Sequence, residues 1–256
     1  MKNSLQVKDL TVNYGNYPAL WDINFSLTSG QLVAIVGPNG AGKSTLIKAI
    51  LQFVQPLSSE VTFFDGMSLK EARKKIAYVP QTQSIDWEFP ITAIEVVIMG
   101  DYHQSSFLKW PKASSRKKAL NLLKELGLES LANRHISELS GGQKQKLFVA
   151  RALMQSADLY FFDEPFAGID HTTEKQILEI FKKLAKEGKT LLVVHHDLST
   201  VESNFDHLIL LNTQLVACGP CKEVFNFENL RKAYGHSDSI LGKLLGVKKE
   251  KKSGLA

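Results

Sequence analysis

One run constrains this chain more than any other: Gly37-Pro38-Asn39-Gly40-Ala41-Gly42-Lys43-Ser44. It fits the spacing G-x-x-x-x-G-K-[ST] in full. An apolar run, Leu32–Val36, leads in, and a helical pattern, Thr45–Phe53, leads out. Glycines at these positions let successive backbone N–H groups turn inward around phosphate oxygens. The start of the following helix adds positive potential at the same place. Lys43 then supplies a charge for the β- and γ-phosphates of a nucleotide, and the Ser44 hydroxyl can ligate Mg²⁺. The nucleotide contacts expected here are Gly37, Pro38, Asn39, Gly40, Ala41, Gly42, Lys43, Ser44 and Thr45. A strand–loop–helix unit of this kind belongs in an α/β architecture with a parallel sheet.

Such a loop needs a carboxylate on a neighbouring strand tip. Leu159-Tyr160-Phe161-Phe162 reads as a buried strand, and Asp163-Glu164 follow it directly. Asp163 is expected to hold Mg²⁺ together with Ser44. Glu164 is expected to sit beside the attacking water as a general base, a role worth roughly 10²–10⁴ in rate.

The rest of the chain supports that architecture. Strands are expected at Leu5–Thr11, Trp21–Leu27, Gln31–Val36, Val61–Phe64, Ile76–Val79, Leu159–Phe162, Leu191–Val194 and Leu208–Leu211. Short turns join the early ones, which suits an antiparallel β subdomain. Thr172–Glu187 carries Ile177, Phe181, Leu184 and Ala185 on one helical face and stops at Gly188. Thr92 and Glu95 form a capping-box pattern for a helix through Met99. Ser115–Leu126 reads as another helix, ended by Gly127. Residues from about 84 to 139 therefore read as an α-helical subdomain inserted in an α/β core. One domain over residues 1–246 and a basic tail over 247–256 are expected. Ser239–Leu245 reads as a short helix.

Composition excludes several classes. Hydrophobic content of 44% and charged content of 22% are ordinary for a folded soluble protein. No apolar run approaches the ~20 residues that cross a bilayer, and Met1–Asp9 do not read as a signal peptide, so a cytosolic chain is expected. The net charge of +5 is mild. Much of it sits at Lys248, Lys249, Lys251 and Lys252, a solvated tail or a weak attraction to an anionic membrane surface. No basic stripe with interleaved aromatics suggests a nucleic-acid face. The two cysteines stand in Cys218-Gly219-Pro220-Cys221. The string follows a strand late in the chain, and it reads as a plain turn with incidental thiols rather than a redox pair.

Leu139-Ser140-Gly141-Gly142-Gln143 makes the reading specific. The string resembles the signature of ATP-binding-cassette (ABC) ATPases, and physically it is a second phosphate-binding device, small residues opening a helix to about Leu153. Further positions match the family in order. Tyr14 resembles the aromatic that stacks on adenine. Gln81 resembles the Q-loop glutamine, which senses Mg²⁺ or the attacking water and faces the permease. Asp170 resembles the D-loop aspartate, and His196 the switch histidine at the γ-phosphate; its neighbour His195 is read as structural. The resemblance implies a P-loop ABC ATPase fold, ATP and Mg²⁺ as ligands, and Glu164, His196 and Gln81 as the catalytic set. It implies a head-to-tail pair of copies with each ATP between one phosphate loop and the other copy's signature. It also implies integral-membrane permease partners at the cytoplasmic face of the cell membrane, and no nucleic acid. The D-loop string Ala167-Gly168-Ile169-Asp170 departs from the commoner serine-alanine-leucine-aspartate but removes no chemical group that the mechanism requires.

The segment Gln83–Pro90 and the string Val194–Val201 are similar to those of cassettes serving importers of manganese, zinc or iron. Such an importer implies, indirectly, an extracytoplasmic metal-binding protein. Trp87, Phe89 and Pro90 also suit plain packing of the helical insertion or the docking of a permease helix. Cassettes of another transport substrate, or acting on ribosomes or DNA, remain alternatives. The compact interval between phosphate loop and signature favours transport.

Overall fold

The computed structural model describes residues 2–81, 88–101 and 113–235. Residues 82–87, the expected helix at Ser239–Leu245 and the basic tail lie outside the described residues.

Two sheets form the framework. β1 (Asn3–Tyr14) and β2 (Tyr17–Thr28) make a long antiparallel hairpin, joined on the other side of β1 by β4 (Ser58–Phe63). The larger sheet has the order β5-β6-β7-β3-β8-β9, with β3 at Leu32–Val36, β5 at Ile76–Val79, β6 at Leu159–Phe162 and β7 at Thr190–Val194. β8 spans His207–Asn212 and β9 spans Gln214–Pro220. The pairs from β5 to β8 are parallel, and β9 is antiparallel to β8. Helices are α1 (Lys43–Ile50), α2 (Leu69–Ala72), α3 (Ala93–Met99), α4 (Ala113–Glu125) and α5 (Gly141–Met154). They continue as α6 (His171–Lys186), α7 (Leu198–Asn204), α8 (Cys221–Val224) and α9 (Phe227–Tyr234).

The parallel strands are buried on both faces, and alternate residues feed two cores. Val33, Ile35, Phe161, Leu192 and Val194 join α1 and the antiparallel sheet in one core. Ala34, Val36, Phe162, Leu191 and Val193 join α3 through α6 in the other. This double burial explains why these strands are continuous apolar runs rather than alternating ones.

Several expectations need correction. β1 and β2 run well beyond Thr11 and begin well before Trp21. Asp9 and Asp22 take positive φ at 51° and 50°, and the register shifts between Val7 and Leu10. Asn24 Oδ1 accepts from the Asp9 N–H and Thr11 Oγ1 from the Asp22 N–H. These irregularities break the period of two while the hairpin continues. The Cys-Gly-Pro-Cys string is no turn. Cys218, Gly219 and Pro220 end β9, and Cys221 opens α8. Pro220 lies on an edge strand, where a missing N–H is tolerated. Cys218 packs toward the core holding Val33, and Cys221 belongs to the core holding Ala34. Burial pushes both thiols up to about 11, so neither is an activated redox thiol.

Candidate functional site

The site gathers at the carboxyl ends of four adjacent parallel strands, the usual ligand crevice of an open α/β sheet. The phosphate loop leaves β3 and wraps into α1. Gly42 takes φ 92°, and a Cβ there would lie 2.6 Å from Leu20 Cδ2 and 2.7 Å from the Ala19 carbonyl oxygen. Glycine is thus required both by backbone and by space. The same contact seats β2 against the loop. Tyr14 ends the neighbouring strand of that hairpin, opposite Tyr17, and is 53% exposed. An exposed aromatic ring thus stands at the end of the hairpin whose Ala19 and Leu20 touch the loop. Asn39 and Gly40 are exposed, while Ala41 is buried and Pro38 and Thr45 are half-buried.

Lys43 is buried, and its Nζ donates to the carbonyl oxygens of Gly37 and Pro38, both at 2.9 Å. Burial lowers its pKa, and Glu164 and Asp163 oppose that shift. Ser44 Oγ donates to Asp163 Oδ1 at 2.7 Å across the β3–β6 gap. Asp163 is 1% exposed, and its Oδ2 is buried without a hydrogen-bond partner. Burial raises its carboxyl above the ordinary range, with the Ser44 hydroxyl pulling the other way. A buried carboxylate with one idle oxygen is costly unless a cation or donor completes it.

Glu164 follows at φ 57°, an uncommon conformation for a non-glycine residue. Its carboxylate is gripped from two strands. Gln81 Nε2, just past β5, donates to Oε2 at 2.9 Å, and His196 Nε2, just past β7, lies 2.7 Å from Oε1. The structure therefore brings Lys43, Ser44, Gln81, Asp163, Glu164 and His196 together. His195 is turned away and buried, with Nε2 2.8 Å from Thr200 Oγ1 and its ring against Phe166 and Phe205.

The signature residues open α5 and bond to one another at its cap. Leu139 is buried, and Ser140 caps α5 by accepting from the Gln143 N–H, while Gln143 Oε1 accepts from the Ser140 N–H at 2.9 Å. Ser140 and Gly141 are exposed at this tip. Asp170 caps α6, its carboxylate accepting from the Thr173 N–H at 2.9 Å and from Oγ1 at 2.7 Å, contacts that hold its pKa low. Two residues escaped sequence reasoning. Gln145 is buried on α5 and donates to the Glu164 carbonyl oxygen at 3.2 Å. Tyr234, on α9, sits beside the Gly37 backbone, its hydroxyl pushed up to about 12 by burial. Only the dense polar run after the signature hinted at the first; nothing hinted at the second.

Together the parallel sheet, the phosphate loop and the carboxylates at its edge define a phosphate-loop nucleoside triphosphatase. Comparison with known proteins narrows this. Residues 20–167 match the ABC transporter family. The manganese transport system ATP-binding protein MntB of Bacillus subtilis is 47% identical over 231 residues, 90% of this chain and 92% of that protein. The zinc transport system ATP-binding protein TroB of Treponema pallidum is 47% identical over 232 residues, 91% of this chain and 87% of that one. Among solved structures, a dimeric ATP-binding cassette in a post-hydrolysis state with ADP and phosphate superposes with a TM-score of 0.72. It is 29% identical, over 84% of this chain and 98% of that one. The chain belongs to the ABC transporter family, as a subunit that binds and hydrolyses ATP. No helix among the described residues is long and apolar enough to cross a membrane.

Proposed function

We propose that the chain energises an importer of a divalent metal ion, manganese, zinc or iron, working as a head-to-tail pair on permease subunits at the cytoplasmic face of the membrane. The observation that carries the catalytic part is the Glu164 carboxylate, held between Gln81 and His196 at the mouth of the phosphate loop. In this reading Tyr14 stacks on adenine, and Gly37 through Thr45 wrap the phosphates. Lys43 exchanges its two loop carbonyls for phosphate oxygens. Glu164 takes the proton of the attacking water, and His196 orients it and reaches the γ-phosphate.

Ser44, Asp163 and Gln81 would hold Mg²⁺; the idle, buried Asp163 oxygen and the hard oxygen donors suit that ion. When bound, the ion neutralises charge on the phosphates. The tip at Ser140–Gly142, exposed at Ser140 and Gly141, supports a second role, capping the ATP held by another copy through a helix N-terminus. An isologous pair supplies two such sites, with Asp170 near the seam. A cavity of about 420 Å³ lined by Phe53, Tyr78, Met99, Phe148 and Arg151 supports permease docking. The metal cargo is inferred from the named roles of the relatives, and an extracytoplasmic metal-binding protein would deliver it.

Two experiments test this. A pull-down in mild detergent should recover hydrophobic permease subunits; recovery of ribosomes or DNA instead would overturn the transport role. Cells lacking the chain should lose uptake of one of Mn²⁺, Zn²⁺ or Fe²⁺; undiminished uptake of all three would overturn the cargo.

A further inference from the structure

The signature tip and the catalytic carboxylate of one chain belong, in the paired reading, to different ATP sites. They are nonetheless joined by a short physical path. α5 begins at its Ser140 cap, and Gln145 lies five residues in, about 7.5 Å along the axis. Gln145 is 1% exposed, and its Nε2 donates to the main-chain carbonyl of Glu164. Its other amide atom, Oε1, is buried without a hydrogen-bond partner. A buried amide left half-satisfied is unfavourable for stability alone. It is spent on a residue whose own backbone sits at φ 57°. Closer to the tip, α5 touches the same segment again. A Cβ on Gly142 would lie 3.1 Å from the Gly168 carbonyl oxygen and 3.5 Å from Ile169 Cγ2. Residues 164–169 are thus laid along the first turns of α5.

We propose that Gln145 is a positioning residue that links the two ATP sites. When a partner's ATP seats against Ser140–Gly142, α5 settles, and Gln145 fixes the Glu164 carbonyl, and hence its carboxylate, at the chain's own ATP. This rests on the paired arrangement proposed above and explains how occupancy of one site primes hydrolysis at the other.

The test is Gln145→Met in the full chain, which keeps length and removes both polar atoms. Steady-state ATP hydrolysis, binding of a fluorescent ATP analogue and thermal melting are measured beside the wild-type protein. The expected result is unchanged or raised melting temperature, unchanged analogue affinity, a fall in kcat of about tenfold, and a Hill coefficient for ATP falling toward 1. Gln145→His, which restores a neutral N–H donor of similar reach, should recover part of the kcat. Wild-type kcat and cooperativity in Gln145→Met would overturn the proposal. So would a fall in kcat matched by loss of melting temperature and not recovered by Gln145→His, since that is plain structural damage. A wild-type protein that hydrolyses ATP without any cooperativity would instead sink the paired reading beneath it.

Discussion

Replacing Glu164 by Gln tests the division of labour in the site. The substitution is nearly isosteric and keeps an oxygen that can face His196 at 2.7 Å. It removes the only property a general base requires, a lone pair of carboxylate basicity. General-base contributions of about 10²–10⁴ correspond to roughly 3–5 kcal/mol of barrier at 1.36 kcal/mol per tenfold. Binding should follow the opposite course. Lys43, the loop amides and Ser44 are untouched, and one negative charge near the phosphates is gone. ATP affinity should stay level or tighten. With hydrolysis stalled, ATP remains as the link between copies, and a pair should accumulate. Phosphate release measures the first effect, equilibrium nucleotide binding the second, and light scattering the third, as a particle of twice the 28.5 kDa chain mass. Turnover within a few-fold of wild type would refute the assignment of Glu164 as base.

Other perturbations separate the remaining roles. Lys43→Ala should weaken ATP binding by about 10- to 150-fold, the loss of a charge-assisted contact of ~1.5–3 kcal/mol, measured by titration; unaltered affinity would mean that Lys43 does not reach phosphate. Asp163→Asn removes a buried carboxylate whose pKa burial has raised, so the nucleotide-free protein should melt about 2–4 °C higher per kcal/mol gained while hydrolysis is lost. A lower melting temperature would contradict this. His195 has its pKa lowered to about 4 by burial, so it stays neutral in the fold while the unfolded chain protonates near 6.5. Stability should fall as pH drops from 6.5 toward 4, by up to about 3 kcal/mol, and urea titrations of His195→Gln should show a shallower slope across that window; parallel slopes would contradict this.

Much of the site was legible because its chemistry is local. The phosphate loop, Asp163-Glu164 and the capped Ser140 helix each announce themselves within eight residues of chain. The parallel strands were legible because burial on both faces makes them unbroken apolar runs. What stayed hidden depends on tertiary contact. β9 is half-buried along most of its length and ends in Pro220, so neither alternation nor an apolar run marks it. The full length of the hairpin was masked by the irregularities at Asp9 and Asp22. α9 is amphipathic and has only Leu230 and Ala233 fully buried, too little pattern to read without the β8 surface it packs on. Gln145 and Tyr234 act on main-chain groups far away in sequence, and no spacing rule encodes such a contact.

The structure of the Glu164→Gln variant crystallised with ATP and Mg²⁺ tests the central claim most directly. The account predicts two copies related by a two-fold axis, each γ-phosphate lying between Lys43 of one copy and the Ser140–Gly142 helix tip of the other. An ATP enclosed by a single copy, with the signature tip facing solvent or another surface, would contradict it.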